Sequence, residues 1–467
     1  VKKLLLINPV GRKSGYLLSK FTTFEPLSLA YVAAVTPASW EVQAIDENFD
    51  RFEFVEADLV AITAFTSSIN RAYEIAAVYR EKGIQVIMGG IHASLVPDEV
   101  IHYADAVVIG EVEEIWAEVL DDFEHNRLKP RYRADRIDFN ALSVKPRRDI
   151  LHSSYLWNSV QTSRGCPFDC AFCSVSRYLG RRFRQRDVED VLDELAEIEG
   201  KYITFTDDNL IGYRKDNVER AKQLFRGMIE RRLKKKWWMQ TSINAVDDEE
   251  AIQLAAKAGC LFVFVGFESI DNEILTSMGK GANITIGVNN YRKVVDIFHK
   301  YGIGVIGGFI VGNDYESKNY YKEFAQFLLH SRIDVYSISL LTPLPGTRFF
   351  EEMEREKRLI HDNFPEDWKK YRLSRLVHQP KGITTEGVYR GDNYIKKMLY
   401  APLPYFFRIV RSLVQLKKIS SFLSVIKLNR ALYRSWKNSY YYQNYSVDLE
   451  PENCFHVQEE LYYGEQK

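Results

Sequence analysis

Short apolar runs alternate with stretches of helical spacing over most of the chain. Lys3–Asn8 is an apolar run ending in Asn-Pro, Pro26–Val35 has helical spacing, and Glu41–Asp46 alternates and ends on acid. Leu59–Thr63 is apolar and closes with Thr63-Ala64-Phe65-Thr66-Ser67. Ile69–Lys82 reads as a helix stopped by Gly83, Ile84–Met88 as a strand running into Gly89-Gly90, and Ala106–Ile109 as a strand running into Gly110-Glu111. Buried strands alternating with helices predict a doubly wound, Rossmann-like α/β domain over residues 1–125. Ligands of such sheets bind beyond the carboxyl ends of the strands. Those ends carry Asn8-Pro9, Thr63–Ser67, Gly89-Gly90-Ile91-His92 and Gly110-Glu111. Small residues there admit a large flat ligand, although Gly after a strand is common in any such sheet. GxGxxG is absent, so a dinucleotide is not favoured.

Residues 126–157 have weak periodicity and contain Pro130 and Pro146, which predicts a linker. Strand-like runs then recur at Ser159–Ser163, Tyr202–Thr206, Trp238–Thr241, Leu261–Gly266, Gly304–Ile310 and Tyr336–Leu341. Helical segments such as Asp187–Glu199 and Asn217–Arg232 lie between them. The pattern predicts a partial (β/α)6 TIM-type barrel over 158–350, with functional residues at the carboxyl ends of its strands. Those ends are polar or Gly-rich: Thr206–Asn209, Thr241–Asn244, Gly266–Ser269, Gly307–Asp314 and Leu341–Thr347.

A mainly helical extension is expected over 351–467, opening with a charged helix at Glu351–Leu359 and a loop at Phe364–Trp368. Residues 393–447 hold ten Lys and Arg and no Asp or Glu, and the run from Tyr405 to Trp436 mixes apolar and basic residues at helical spacing. Two readings stand: a helical cap with a solvated basic face, or a basic amphipathic helix in peripheral contact with an anionic membrane. The acidic end, Asp448–Glu465, offsets part of the charge and is expected to be flexible.

Formal net charge is zero, so no global field draws the chain to nucleic acid, and no basic patch interleaved with aromatics at strand positions suggests RNA. Val1–Pro9 is too short for the apolar region of a signal peptide, and no uncharged apolar run reaches about 18 residues. A cytoplasmic protein is expected, with membrane association as the alternative. The chain has five cysteines in 467 residues, without the spaced even framework of a disulfide scaffold.

Three of those cysteines fall within eight positions, in Arg164-Gly165-Cys166-Pro167-Phe168-Asp169-Cys170-Ala171-Phe172-Cys173. Cys260 and Cys454 are isolated. Three thiolates can hold three corners of a cubane iron–sulfur cluster and leave the fourth iron open for a substrate or cofactor. The alternative is a zinc knuckle, which wants four ligands; the nearest candidate, His152, lies fourteen residues before Cys166. Phe172 either shields a cluster or is plain core.

The string Gly89-Gly90-Ile91-His92-Ala93-Ser94-Leu95-Val96-Pro97-Asp98-Glu99, followed by Asp105–Glu111, resembles the cobalamin-binding domain that precedes many radical S-adenosylmethionine (radical SAM) domains. The CxxxCxxC loop and the barrel pattern resemble the radical SAM superfamily over about 190 residues. The resemblance implies that Cys166, Cys170 and Cys173 bind a 4Fe–4S cluster whose open iron is chelated by SAM. It puts Asp207 and Asp208 near the SAM amine, and Ser242 and Glu268 at its carboxylate or ribose. The strand holding Gly308 and Gly312 would pass under the adenine, which Leu341 would also contact. For cobalamin it implies Asn8, Thr63, Ser67, Gly89, Gly90, His92, Gly110 and Glu111. The DxHxxG motif whose His ligates cobalt in classical cobalamin enzymes is absent; the nearest acidic strand end, Asp46-Glu47-Asn48-Phe49, has no His.

The activity so implied is methylation of an unactivated carbon. A 5′-deoxyadenosyl radical abstracts hydrogen, methylcobalamin delivers the methyl, and a second SAM remethylates cobalt. A cyclase or rearrangement enzyme of the anaerobic porphyrin ester cyclase type is the alternative, and a non-catalytic sensor a third reading. The expected partners are a lipid-like or porphyrin-like small molecule and an external electron donor such as flavodoxin or ferredoxin. No catalytic side chain is singled out.

Overall fold

The computed structural model describes residues 1–11, 23–139 and 144–437. Cys454, the acidic Asp448–Glu465 segment and the end of the basic stretch lie outside the described residues. The chain divides into two compact units. Among the described residues, the first comprises 1–11, 23–139, 144–260 and 342–378, and the second 261–341 and 379–437.

The first unit opens with six parallel strands: β1 (Lys2–Asn8), β2 (Trp40–Asp46), β3 (Leu59–Thr63), β4 (Gln85–Gly89), β5 (Ala106–Ile109) and β6 (Arg131–Arg133), in the order β2-β1-β3-β4-β5-β6. Both faces of this sheet are covered, which is why its strands read as continuous apolar runs. Along β1 successive residues serve opposite cores. Leu5 and Ile7 pack with Val60, Ile62 and the helix Ile69–Arg80, while Leu4 and Leu6 pack with Leu59, Trp116 and Val119. Strand order reverses at β1, so the crevice beyond Asn8 and Thr63 is the topological switch point. β6 falls in the stretch expected to be a linker. Tyr132 is its single buried residue, paired with Val108 and donating to Asp122 at 3.0 Å, too short an apolar signal to read as a strand.

The same unit holds β7 (Asn158–Val160), the antiparallel pair β8 (Ser163–Arg164) and β9 (Arg184–Gln185), and β10 (Tyr202–Phe205) and β11 (Lys236–Thr241). β10 lies between β7 and β11, parallel to both. The expected strand Ser159–Ser163 is broken because the Thr162 N–H is taken by a side chain, the Asp207 carboxylate at 3.0 Å. The expected charged helix runs over Arg348–Arg355, and Glu366–Lys370 forms a single 3-10 turn.

The division between the units falls inside β12 (Cys260–Glu268). The second unit holds β12, β13 (Gly304–Val311) and β14 (Val335–Leu340), parallel in that order. The expected helical run to Trp436 is two helices, Pro402–Leu416 and Ile419–Lys437, broken at Lys417 with φ +52°. One buried carboxylate ties these elements together. Asp334 accepts from Val305 N–H at 2.8 Å and Ser412 Oγ at 2.6 Å, and pairs with His299 Nε2 at 2.7 Å. Asn429 Nδ2 donates to the Asp334 carbonyl at 2.9 Å.

Asp334→Ala strands three polar partners in the interior, so we expect a loss on the order of 3 kcal/mol, read as a lower Tm of the folded protein. A Tm within experimental error of the parent would show that these groups are not coupled to folding.

Candidate active site

The cysteine loop is fixed by its entry. Gly165 has φ +88°, and a Cβ there would lie 2.3 Å from the Arg182 carbonyl oxygen, so no other residue fits. Cys166 N–H donates to Gly180 O at 3.1 Å, and Cys173 N–H to Cys170 O at 3.2 Å. The helix Arg348–Arg355, capped by Thr347, braces the far side: Phe349 N–H donates to Ala171 O at 3.0 Å and Arg348 to Asp169 O at 2.6 Å. All three cysteines and Phe172 are half-buried.

Burial pushes the Cys173 thiol up to about 12, and the charges of Cys170, Asp208 and Cys166 push the same way. Neighbouring thiolates with a carboxylate beside them call for a cationic core, which an iron–sulfur cluster supplies. Three cysteines within one eight-residue loop match the three thiolates that a cubane cluster with one open iron takes from a protein, whereas a zinc knuckle wants a fourth ligand. The donor set fits the cluster.

Asp207 and Asp208, adjacent in sequence, have different surroundings. Asp207 is fully buried, and its carboxylate accepts from Thr162 N–H at 3.0 Å, Thr162 Oγ1 at 2.8 Å and Ser163 Oγ. Burial raises its pKa, and these hydrogen bonds oppose the rise. Arg220, pulled by burial down to about 10, donates to Arg186 O at 3.0 Å and to Thr162 Oγ1 at 3.3 Å. The Asp207 side chain therefore holds the segment that leads into the cysteine loop. Asp208 is half-buried; burial and the Asp207 charge push it up to about 7. Ser242 Oγ accepts from Asn209 Nδ2 at 3.1 Å and donates to Asn244 Oδ1.

At the ends of β1 to β5, Asn8 Nδ2 donates to Asp46 Oδ1 at 2.8 Å. Gly90, with φ +89°, packs so closely that a Cβ would lie 2.5 Å from Thr63 Oγ1. Gly110 N–H donates to Ser94 Oγ at 3.0 Å, and Ser67 is half-buried. Phe65, beyond β3, is the exposed apolar ring among these ends, a feature that its position in Ala-Phe-Thr gave no reason to single out. His92 has no exposed surface: Nδ1 meets Thr66 Oγ1 at 3.1 Å, Nε2 lies 3.6 Å from Glu99, and Trp368 stands edge-on at 5.2 Å. Burial lowers its pKa and keeps it neutral.

Glu111 is also buried, and pairs with Arg164 Nη1 at 2.9 Å and Arg184 Nη1 at 2.9 Å. Arg164 binds Glu113 at 2.6 Å as well, and stacks over Phe139 at 4.5 Å. Burial works against the Arg164 charge, but Glu113 and Glu111 outweigh it and hold its pKa above the ordinary value. The arginines of this clamp and Glu113 were not among the expected site residues, because they precede and follow the cysteine loop as ordinary charged positions.

In the second unit, Glu268 has φ +63° at a register shift in β12 and binds Lys280 at 2.9 Å. A Cβ at Gly308 would lie 2.5 Å from the Phe264 ring, so this glycine makes room for an aromatic. Gly312 N–H donates to Glu316 at 2.8 Å, and Leu341 is buried with its N–H on Val311 O at 2.8 Å.

Residues 16–120 match the B12 binding domain, and residues 160–328 the Radical SAM superfamily. The chain is 32% identical over 428 residues to bacteriochlorophyllide d C-12(1)-methyltransferase of Chlorobaculum tepidum, covering 86% of this chain and 90% of that one. It is 28% identical over 411 residues to the C-8(2)-methyltransferase of the same organism, covering 83% and 84%. Its fold matches the cobalamin-dependent S-adenosylmethionine radical enzyme OxsB, solved with aqua-cobalamin and S-adenosylmethionine bound, at TM-score 0.68 and 16% identity, covering 100% of this chain and 82% of that one.

Glu111→Gln leaves two buried guanidinium groups short of their counter-charge. We expect a loss of about 3–5 kcal/mol and less iron bound per chain after anaerobic reconstitution, with the exposed Glu114→Gln as an unaffected control. A folded Glu111→Gln protein with parental iron content would show that the clamp does not position the loop.

Proposed function

We propose that this chain, which belongs to the cobalamin-binding radical SAM enzymes, methylates an unactivated carbon of a hydrophobic small molecule, most directly a tetrapyrrole. Likeness along nearly the whole chain to bacteriochlorophyllide d methyltransferases carries this reading. The cysteine trio fits the same chemistry. In our assignment residues 1–125, with β6 completing their sheet, take the corrinoid, the rest of 126–157 joins, 158–350 take the cluster and SAM, and 351–467 extend the chain.

Cys166, Cys170 and Cys173 would hold the cluster. When bound, the cluster and SAM supply a carbon-centred radical, and the corrinoid supplies a transferable methyl group. The protein's own residues do the positioning. Gly165 sets the loop's entry, Arg348 and Phe349 brace its exit, and Asp207 holds its approach through Thr162 and Ser163. Asp208, which acts on Cys173, is the carboxylate we assign to the SAM amine. At the other cofactor, His92 is buried with Nδ1 against Thr66, so we do not assign it to hold the corrinoid. Gly90, Gly110 and the exposed Phe65 offer it backbone and an apolar ring. We assign the protein to a reducing compartment, with a flavodoxin or ferredoxin as electron donor. Among the described residues no helix is long and apolar enough to cross a membrane.

The test is anaerobic turnover of the cobalamin-loaded protein with methyl-labelled SAM and bacteriochlorophyllide d. We expect labelled methyl in the product, with one S-adenosylhomocysteine and one 5′-deoxyadenosine formed for each methyl transferred. Substrate-dependent 5′-deoxyadenosine with a ring-closed or oxidised product and no label would overturn methyl transfer in favour of cyclisation or oxidation.

A further inference from the structure

The helix Pro402–Leu416 is built inside out. Its buried residues are Arg408, Ser412 and Leu416, on one face at four-residue spacing. Arg408 is 4% exposed; it donates to the Leu399 carbonyl at 3.1 Å and to Asn429 Oδ1 at 3.2 Å, and lies over the rings of Tyr336, Tyr400 and Tyr405. Ser412 is fully buried on Asp334. The opposite face carries Leu403, Phe406, Phe407, Val410, Leu413 and Val414, with Phe407 64% and Val414 72% exposed. Ile419 and Leu423, on the helix that packs beside it, are exposed as well. A surface helix normally turns its apolar side inward, so a run of large apolar residues outward marks a binding surface.

Charge decides the occupant. Residues 393–447 carry ten Lys and Arg and no acid, and Lys417, Lys427, Arg430 and Arg434 are exposed along the two helices. A second copy meeting this face would bring two such basic segments together without an acidic residue to separate them. An anionic bilayer supplies both missing partners: acyl chains for the aromatic and aliphatic ridge, and headgroup charge for the flanking cations. At about 22 Å for 15 residues the helix is shorter than the roughly 30 Å hydrocarbon core, which suits lying in the interface rather than crossing it.

We propose that the helical pair Pro402–Lys437 docks the protein on an anionic lipid surface through the Leu403–Val414 ridge. This rests on the second unit alone, and its test reads binding rather than turnover.

The full-length protein is spun with phosphatidylcholine vesicles with or without phosphatidylglycerol. We expect at least about tenfold more protein on the anionic vesicles, falling with salt. The triple variant Phe406→Ser, Phe407→Ser, Val414→Ser should lose that difference while keeping the parental Tm, since these side chains face water. Absent or equal recovery on both vesicle types, or a variant that binds like the parent, would overturn the proposal. Phe407→Trp reports the free face through its difference emission. Water-exposed emission that shifts to the blue with anionic vesicles is expected. Blue emission before vesicles are added would mean that the acidic C-terminal segment or another copy already covers the ridge, and would also overturn it.

Discussion

A single buried carboxylate shared between two guanidinium groups underlies the first unit. Glu111 leaves the end of β5, and Arg164 and Arg184 face each other across the β8–β9 pair from which the cysteine loop springs. None of the three is stable alone in the interior, because each loses its hydration and regains it only from the others. The strand end of the corrin-type sheet and the foot of the cysteine loop therefore have to form together. The loop is held at its other points by cheaper means: a close glycine approach at Gly165, a carboxylate on the backbone at Asp207, and a capped helix at Arg348.

This arrangement explains which parts of the site could be read from the chain. The cysteines are legible because their chemistry depends on spacing within one loop, and spacing is sequence. The strands β1, β3 and β5 are legible because they are buried on both faces and read as unbroken apolar runs. Polar strand ends are another matter. A carboxylate there looks the same whether it faces a ligand or supports a loop, and only the folded chain shows that Glu111 and Asp207 are turned to protein groups while Asp208 remains half-buried beside the cysteines. His92 illustrates the same ambiguity: Gly-Gly-Ile-His suggests a ligand-facing loop, yet the ring lies between Thr66, Glu99 and Trp368. β6 and β9 were hidden by their length and their arginines.

The second unit shows the converse, where the pattern left a cap and a membrane-surface helix both open. The geometry adds the direction of each face. Because Asp334 recruits Ser412, and Asn429 and the tyrosines recruit Arg408, the polar side of Pro402–Leu416 is consumed inside the protein and the apolar side is left outside.

The proposed chemistry depends most on a cluster with one iron left for SAM. The direct measurement is electron paramagnetic resonance of the anaerobically purified, reduced protein before and after SAM is added, with metal analysis of the same sample. Iron and sulfide at the cysteine loop, and a 4Fe–4S signal that changes shape when SAM binds, are expected. Zinc in place of iron, or a cluster signal indifferent to SAM, would contradict that chemistry.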